Sequence, residues 1–510
     1  MKHNIARFVV VQLGVFALGV CQAVWAAPSA QEKSVGPATE QTVQANNGFA
    51  MTLYRRLSQE HHKDNLFFSP YSLFSALGMT LEGARGETAR QMGEVLRFPA
   101  DLRHADSNEQ PWDTAVIHTG VADLKQRLSG GPTDPIQARD IRSRITSLED
   151  ELDALNRQLE QRSRHAQTET ERRAISVAAE LNTLRQQVNQ YELRVANALW
   201  GEQTFPFRPQ FARALQRAYG ASSFPVDFLQ APDIARLHIN AWTAQQTKNL
   251  IRNMLPPGSV DRTTRLVLTN AIYFKGTWAK PFQKQSTETA DFTLFDGCRT
   301  PVQLMSAQQR RFRYAELMPD STPREPIPGD EAPGWTLPPN PDGFQLLELP
   351  YRGNTLSMLI ILPRRHDAIH ELEHRLTAEA LATWLGRLSV QDVHVSLPRF
   401  RLETSYSLTK TLSALGMPAA FQAGGFTGMS DAPQASRLAL SQVAHKAFVR
   451  VDEEGTEAAA ASAITVRTTS IRLPPPTPVF RADRPFVFLI RDNQTEAVLF
   501  LGRVMRPQDS

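Results

Sequence analysis

The stretch Glu453-Glu454-Gly455-Thr456-Glu457-Ala458-Ala459-Ala460-Ala461-Ser462 carries two local preferences that conflict. Four consecutive alanines favour helix. The residues that follow, Ile464-Thr465-Val466-Arg467-Thr468-Thr469, are rich in β-branched side chains and favour strand. Gly455 precedes the run and tolerates backbone angles that other residues avoid, so it reads as a hinge. Pro474-Pro475-Pro476-Thr477-Pro478 closes the segment, because neither a helix nor a central strand continues through such a run. Alternate residues separate by charge. Thr456, Ala458, Ala460, Ser462, Ile464, Val466 and Thr468 are uncharged and begin small, whereas every charge falls in the set that starts at Glu457. Strand side chains alternate between faces, so this segment can enter a sheet with its uncharged set on a core. Its small leading residues would let it pass between two strands already in place. A plain Ala-rich helix or linker is the competing reading, since a segment of this length fits both periods.

Other segments appear in a fixed order around it. They include Asn65-Leu66-Phe67-Phe68-Ser69-Pro70-Tyr71-Ser72, with Ala76-Leu77-Gly78-Met79 and Gly83-Ala84-Arg85-Gly86-Glu87-Thr88 after it. Further along come Asn197-Ala198-Leu199-Trp200, Thr269-Asn270-Ala271-Ile272-Tyr273-Phe274-Lys275-Gly276-Thr277-Trp278 with Pro281-Phe282, and Glu348-Leu349-Pro350-Tyr351. Leu397-Pro398-Arg399-Phe400, Leu440-Ser441 with His445-Lys446-Ala447, and Asp483-Arg484-Pro485-Phe486 complete the set. From about Asn46 to Pro507 this pattern resembles the serpins, a family of suicide protease inhibitors.

The resemblance implies an α+β fold with three β-sheets, about nine helices and an exposed reactive-centre loop, here residues 453–480. It implies a loop hinge at Glu453, Gly455, Thr456, Ala458 and Ala460. It also implies that Ser69, Ser72, Asn270 and His445 form a polar cluster under the centre of the main sheet, where strands part, and that Trp278 and Glu453 mark where insertion begins. Such a cluster must be hydrogen-bonded in the open and closed sheet alike. Taken singly, each of these residues reads as a satisfied core group, and Trp278 as plain core. Counting from Gly455, the family's usual spacing places the reactive bond at Thr469–Ser470. The span to Pro485 looks longer than usual, so Arg467–Thr468 and Arg472–Leu473 stand as alternatives. Thr469 suits an elastase-like serine protease; the arginines suit a trypsin-like one. The function implied is inhibition of a serine or cysteine protease, without an enzymatic activity or cofactor of its own. A non-inhibitory carrier of the same fold is the main alternative.

Residues 1–26 read as a secretory signal peptide: Lys2 and Arg7 precede an apolar run, and Val24-Trp25-Ala26 offers a small-residue cleavage site. The apolar run is too short for a membrane span. Leu18-Gly19-Val20-Cys21 resembles a lipoprotein box, but Val20 is a poor residue before the cysteine, which argues against anchoring at Cys21. Removal of the leader leaves Cys298 alone and no intrachain disulfide. A secreted or periplasmic protein is expected. The formal net charge of +4 is spread among interspersed charges of both signs and leaves no footprint for nucleic acid.

Residues 27–45 read as a flexible linker, and 46–130 and 191–507 as the two parts of one domain. Between them, residues 131–190 carry two heptad seams, Ile141, Ile145, Leu148, Leu152, Leu155, Leu159 and Ala174, Val177, Leu181, Leu184, Val188, Tyr191. They predict an inserted antiparallel helical hairpin, a coiled coil that packs on itself, with self-association as the sharper alternative. Pro319 to Asp342 reads as a surface loop. His370-Glu371-Leu372-Glu373-His374 matches the zinc-protease pattern, but Glu373 and Arg375 read as a charged, solvated helix, so no metal site is expected.

Overall fold

A computed structural model describes residues 35–104, 107–128, most of 140–155, 168–187, 191–220, 222–317, 343–433, 435–456 and 477–508. The chain divides into two units, residues 1–36 and 37–510, and the second holds every described strand and helix. The expected leader with Cys21, the loop 319–342, and Ala458, Ala460, Arg467, Thr469, Ser470 and Arg472 lie outside the described residues.

The described strands are β1 (Leu66–Phe68), β2 (Tyr191–Glu202), β3 (Ser222–Val226), β4 (Leu266–Thr277), β5 (Thr287–Thr293), β6 (Arg299–Leu317), β7 (Phe344–Pro350) and β8 (Leu356–Pro363). They continue with β9 (Ser389–Pro398), β10 (Phe400–Ser407), β11 (Leu440–Val451), β12 (Gly455–Thr456), β13 (Val479–Arg481), β14 (Phe486–Asp492) and β15 (Val498–Val504). The main sheet has the order β10-β11-β12-β4-β2-β3. A second sheet runs β1-β15-β14-β8-β7-β6-β9-β13, with β5 on β6. The third sheet of the expected fold is continuous with this one, because the long β6 pairs with β5 at one end and β7 at the other. Nine α-helices outside residues 131–190 are described.

Side-chain character explains the layering. Ile272 and Phe274 of β4 and Ala447, Val449 and Val451 of β11 pack against Leu347, Met358 and Phe488 of the second sheet. The N-terminal ends of β4 and β11 instead cover a core that includes the helices Pro37–Glu60, Pro70–Leu81 and Gly86–Val95. Pro70–Leu81 is buried along its whole length, as its nearly all-apolar composition requires. Ser69 caps it by accepting from the Ser72 amide, and Pro70 occupies the first turn, where a missing N–H costs nothing.

The expected linker over 27–45 needs correction from Pro37 onward, while residues 27–34 lie outside the described residues. Pro37–Glu60 is one helix, and Thr39, Thr42, Val43 and Ala45 are already buried in it. Its first turns pack on the helix Thr114–Leu128 through small and polar groups. Thr39 donates to Asp123 at 2.7 Å. A Cβ on Gly120 would stand 2.1 Å from the Thr42 hydroxyl, so only glycine admits this approach. Such a contact has no apolar stripe to reveal it.

Thr114–Leu128 ends before residues 131–190, and β2 follows them at Tyr191. Tyr191 Oη donates to the Leu128 carbonyl at 3.0 Å, which ties the two flanks together. Between these flanks, Ile145 and Leu148 bury against Val177 and Leu181. No described helix is long and apolar enough to cross a membrane.

Candidate functional site

β4 and β11 are central neighbours that run parallel, in register from Gln442 opposite Val267 to Phe448 opposite Tyr273, with a bulge after Leu440. Towards their C-terminal ends they part. β12 fills the gap and pairs antiparallel with both, with Thr456 opposite Val451 on one side and Gly276 on the other. Gly455 sits opposite Thr277 with φ +155°, and a Cβ there would lie 2.1 Å from the Gly276 carbonyl oxygen. Close backbone approach is therefore what requires glycine at the hinge.

Thr456 is fully buried, and its hydroxyl is hydrogen-bonded to Tyr351 Oη at 2.8 Å. The Tyr351 ring stacks on Trp278 at 4.7 Å and meets Phe274 edge-on at 5.1 Å. Trp278 in turn holds the turn before the hinge. Its indole N–H donates to the Asp452 carbonyl at 3.0 Å, and its backbone N–H to the Glu454 carbonyl at 2.9 Å. Glu453 is buried; it accepts from Arg399 Nε at 2.9 Å and from the Thr287 hydroxyl. Burial raises the Glu453 carboxyl, but the Arg399 and Thr287 hydrogen bonds outweigh it and leave the group below the usual carboxylate range. Glu453, Gly455, Thr456 and Trp278 thus form one anchored turn at the mouth of the gap.

A polar row crosses the sheet further down. Asn197 of β2 lies opposite Asn270 of β4, which lies opposite His445 of β11. The N-terminus of the helix Pro70–Leu81 sits beneath this row. His445 Nε2 accepts from the Ser69 backbone N–H at 3.2 Å, so the ring hydrogen is on Nδ1 and is given to Asn270 Oδ1. Asn270 donates to the Ser72 hydroxyl and to Asn197 Oδ1. Asn197 Nδ2 donates back to the Ser72 carbonyl at 3.2 Å, and Ser69 Oγ donates to the Leu499 carbonyl at 2.6 Å. Burial pushes the His445 pKa down to about 3. A proton on Nε2 would also face the Ser69 N–H. The ring is therefore neutral near pH 7.

The four expected cluster residues come together, and Trp278 and Glu453 sit apart from them at the C-terminal ends of the parting strands. Asn197 and Tyr351 are added by the structure. Asn197 had a visible signal, an amide in a strand otherwise apolar on its buried face. Tyr351 had none, because an aromatic after Leu-Pro reads as core until its partner is known.

Glu373 needs a second correction. It is buried rather than solvated, because the helix Ile369–Arg375 turns it inward onto Arg503. Its carboxylate accepts from Arg503 Nη1 at 2.7 and 3.0 Å and from Tyr54 Oη at 2.7 Å, and it contacts His370 Nδ1 at 2.9 Å. Desolvation raises this carboxyl, yet His370, Arg503 and Tyr54 together hold it below its ordinary value. It serves as a structural anion.

A family model described as serpin (serine protease inhibitor) matches residues 44–507. Serpin B6 of Macaca fascicularis is 36% identical over 468 residues, covering 91% of this chain and 99% of that protein. The leukocyte elastase inhibitor of Xenopus laevis is 34% identical over 466 residues, covering 90% and 97% respectively. Among solved structures, Serpin48 of the insect Tenebrio molitor, described as a highly specific serpin, superposes with a TM-score of 0.66 at 25% identity, covering 92% of this chain and 98% of its own.

Proposed function

The chain belongs to the serpin family of protease inhibitors and is not an enzyme, and from that premise we propose that it is an exported inhibitor that traps its target as a covalent acyl-enzyme. The protease nucleophile attacks the carbonyl carbon of the reactive bond. An ester or thioester forms, the peptide bond breaks, and the new amino terminus leaves. The cut loop then enters the main sheet between β4 and β11 and carries the attached protease with it, so that deacylation fails.

One observation carries this reading: Thr456 already occupies the gap between β4 and β11, antiparallel to both. Insertion would extend a ladder that has begun. It would replace one parallel pairing by two antiparallel ones, the more stable arrangement per residue. About a dozen new backbone bonds at ~1 kcal/mol net each give on the order of 10 kcal/mol before burial. That energy is retained by folding first to the uninserted, kinetically stable form.

A serine protease of elastase-like or trypsin-like specificity is the proposed partner, with cysteine proteases included. An elastase inhibitor among the relatives agrees with Thr469 as the residue before the bond. Export follows from residues 1–26, without anchoring at Cys21. A carrier of the same fold would tolerate a bulky hinge, whereas the site of Thr456 is small, neutral and closed by Tyr351. In the zinc-protease alternative the base would be Glu371, which is exposed and bonded to Arg365 at 2.8 Å, while His370 is turned onto Glu373.

Residues 131–190 are read as an antiparallel hairpin. Arg144 pairs with Glu180 and Arg173 with Glu151, so seven residues forward along one seam are seven back along the other. Their mutual packing favours a self-contained arm over a dimer contact.

The test is incubation with a panel of serine and cysteine proteases, followed by denaturing electrophoresis. A complex that survives boiling in detergent is expected with at least one. Cleavage of the loop by every protease that acts, each leaving active, would reject inhibition.

A further inference from the structure

On the outer face of the main sheet, Arg401 of β10 stands directly opposite Arg450 of β11. Like charges facing across an antiparallel ladder repel unless an anion lies between them. The carboxylates nearby do not meet that need. Arg401 reaches Glu403 only at 3.4 Å, and Glu403 has a closer cation in Lys446 at 3.0 Å. Arg450 Nε lies 3.9 Å from Asp452, beyond hydrogen-bond reach, and this buried donor has no acceptor among the described residues. Both guanidinium groups open into a cavity of about 390 Å³, whose opposite wall is formed by Asn249 and Arg252. Three arginines and one glutamate line it, and Phe448 forms part of the wall beneath Arg401, whose Cζ lies 5.2 Å from the ring centroid.

The wall carrying Arg252 belongs to a different layer. Leu255 is clamped to Asn240 of the helix Pro232–Gln246 by two hydrogen bonds of 2.9 and 2.8 Å. The segment touches β11 through Lys446 Nζ, which donates to the Arg252 carbonyl at 2.8 Å. The cavity therefore spans the joint between an overlying layer and the β10–β11 pair, the part of the sheet that must move away from β4 when a strand enters.

We propose that this cavity is an oxyanion site for a phosphate or sulfate group, held by Arg401, Arg450 and Arg252, and that its occupancy staples the closed sheet. Tetrahedral oxyanions supply several acceptors to converging guanidinium groups, which a single carboxylate cannot. A bound anion would relieve the Arg401–Arg450 repulsion and tie β10–β11 to the layer above. It would thus favour the uninserted state by its differential affinity for that state. The staple rests on the inhibitory reading above; the binding site does not.

Inorganic phosphate is titrated into the full chain at constant ionic strength by calorimetry, with a sulfated oligosaccharide titrated separately. Saturable phosphate binding is expected, weakened at least about tenfold in Arg450→Gln and Arg401→Gln. Both side chains are about half exposed, so these variants should fold. Phosphate binding that is absent in the wild type, or undiminished in both variants, overturns the site. Much tighter binding of the oligosaccharide, lost in the same variants, identifies an ester on a polyanion as the source. With a trapped protease in hand, phosphate should raise the cleaved-to-trapped ratio in the wild type and not in Arg450→Gln. An unchanged ratio despite binding overturns the staple, whereas failure to trap any protease bears on the inhibitory reading alone.

Discussion

Thr456 is the residue on which the chemistry of this sheet turns. Its hydroxyl is satisfied by Tyr351, and its neighbours are Gly276 and Val451, so the position accepts a small neutral side chain and little else. Thr456→Arg would bury a charge with no partner, at a cost of several kcal/mol. The variant is expected to be cleaved as a plain substrate, with trapped complex reduced at least tenfold on densitometry. His445 gives a second residue-scale expectation. Its folded pKa is depressed to about 3, whereas an unfolded histidine titrates near 6.5. Between those values the unfolded chain binds the extra proton and the folded chain does not. The stability contribution is therefore complete above about pH 6.5 and is lost progressively as the pH falls toward 3. The groups that surround the ring, Ser69, Asn270 and the stacked Tyr406, supply no negative charge to offset this. Denaturant midpoints measured from pH 7.5 to 4 should fall more steeply for wild type than for His445→Asn; parallel slopes would contradict the neutral assignment.

The pairing of β12 extends to residues not yet in the sheet. Six residues beyond Thr456 is Ser462. Six residues back from Gly276 is Asn270, and six back from Val451 is His445. Both sides of the gap thus agree that an inserted loop brings Ser462 between the two members of the polar row, at the bond that insertion must break. A small hydroxyl can donate to one and accept from the other, which satisfies the requirement for hydrogen bonding in the open sheet. Ser462→Thr should inhibit normally, while Ser462→Val should lower the melting temperature of the loop-cleaved form and leave the intact form unchanged. An equal shift in both forms would remove Ser462 from this role. The described part of the hinge and four members of the polar row were legible through the family resemblance alone, since Ser69, Asn270 and His445 lie far apart in the chain and each singly reads as a satisfied core group. The opening turns of the first helix were not, because their contacts to the next helix use Thr39, Thr42 and Gly120 ahead of the apolar stripe that starts later in the helix. Glu373 was misread because a charged residue in a short helix looks solvated until Arg503, 130 residues away, is placed beside it. For the insertion, replacing residues 135–188 with a short Gly-Ser bridge should leave trapping intact. The Tyr191–Leu128 bond already closes its base, so loss of trapping in a folded deletion variant would implicate the arm in the mechanism.

At the scale of the whole molecule, the main sheet sets how much loop must enter. β4 begins at Leu266, and the ladder that pairs Thr456 with Gly276 brings Val466 opposite that first residue. A cut before Val466 would leave the gap part-filled, so the reactive bond must lie beyond it. Cleavage there should convert the chain to a form that melts well above the intact one, since a full central strand is added at no cost in chain connectivity. Calorimetry of intact and cleaved protein checks this, and equal melting temperatures would rule out insertion. Three bonds satisfy the length requirement: Arg467–Thr468, Thr469–Ser470 and Arg472–Leu473. Cutting at the first leaves one residue past the end of β4, too short a tether to clear the sheet before the protease is carried down. Cutting at the third leaves six, slack that would let the protease sit clear of the surface and recover its active site. Thr469–Ser470 leaves three, enough to complete the strand and still press the protease against the end of the sheet. The run Pro474–Pro478 would then fall after the bond in the sequence, where a proline-rich stretch can lengthen the connection to β13 without needing ladder hydrogen bonds. Mass spectrometry of the C-terminal peptide released from a trapped complex should find Ser470 at its amino terminus. A peptide that starts at Thr468 or Leu473 would move the bond to an arginine and change the target from an elastase-like to a trypsin-like protease.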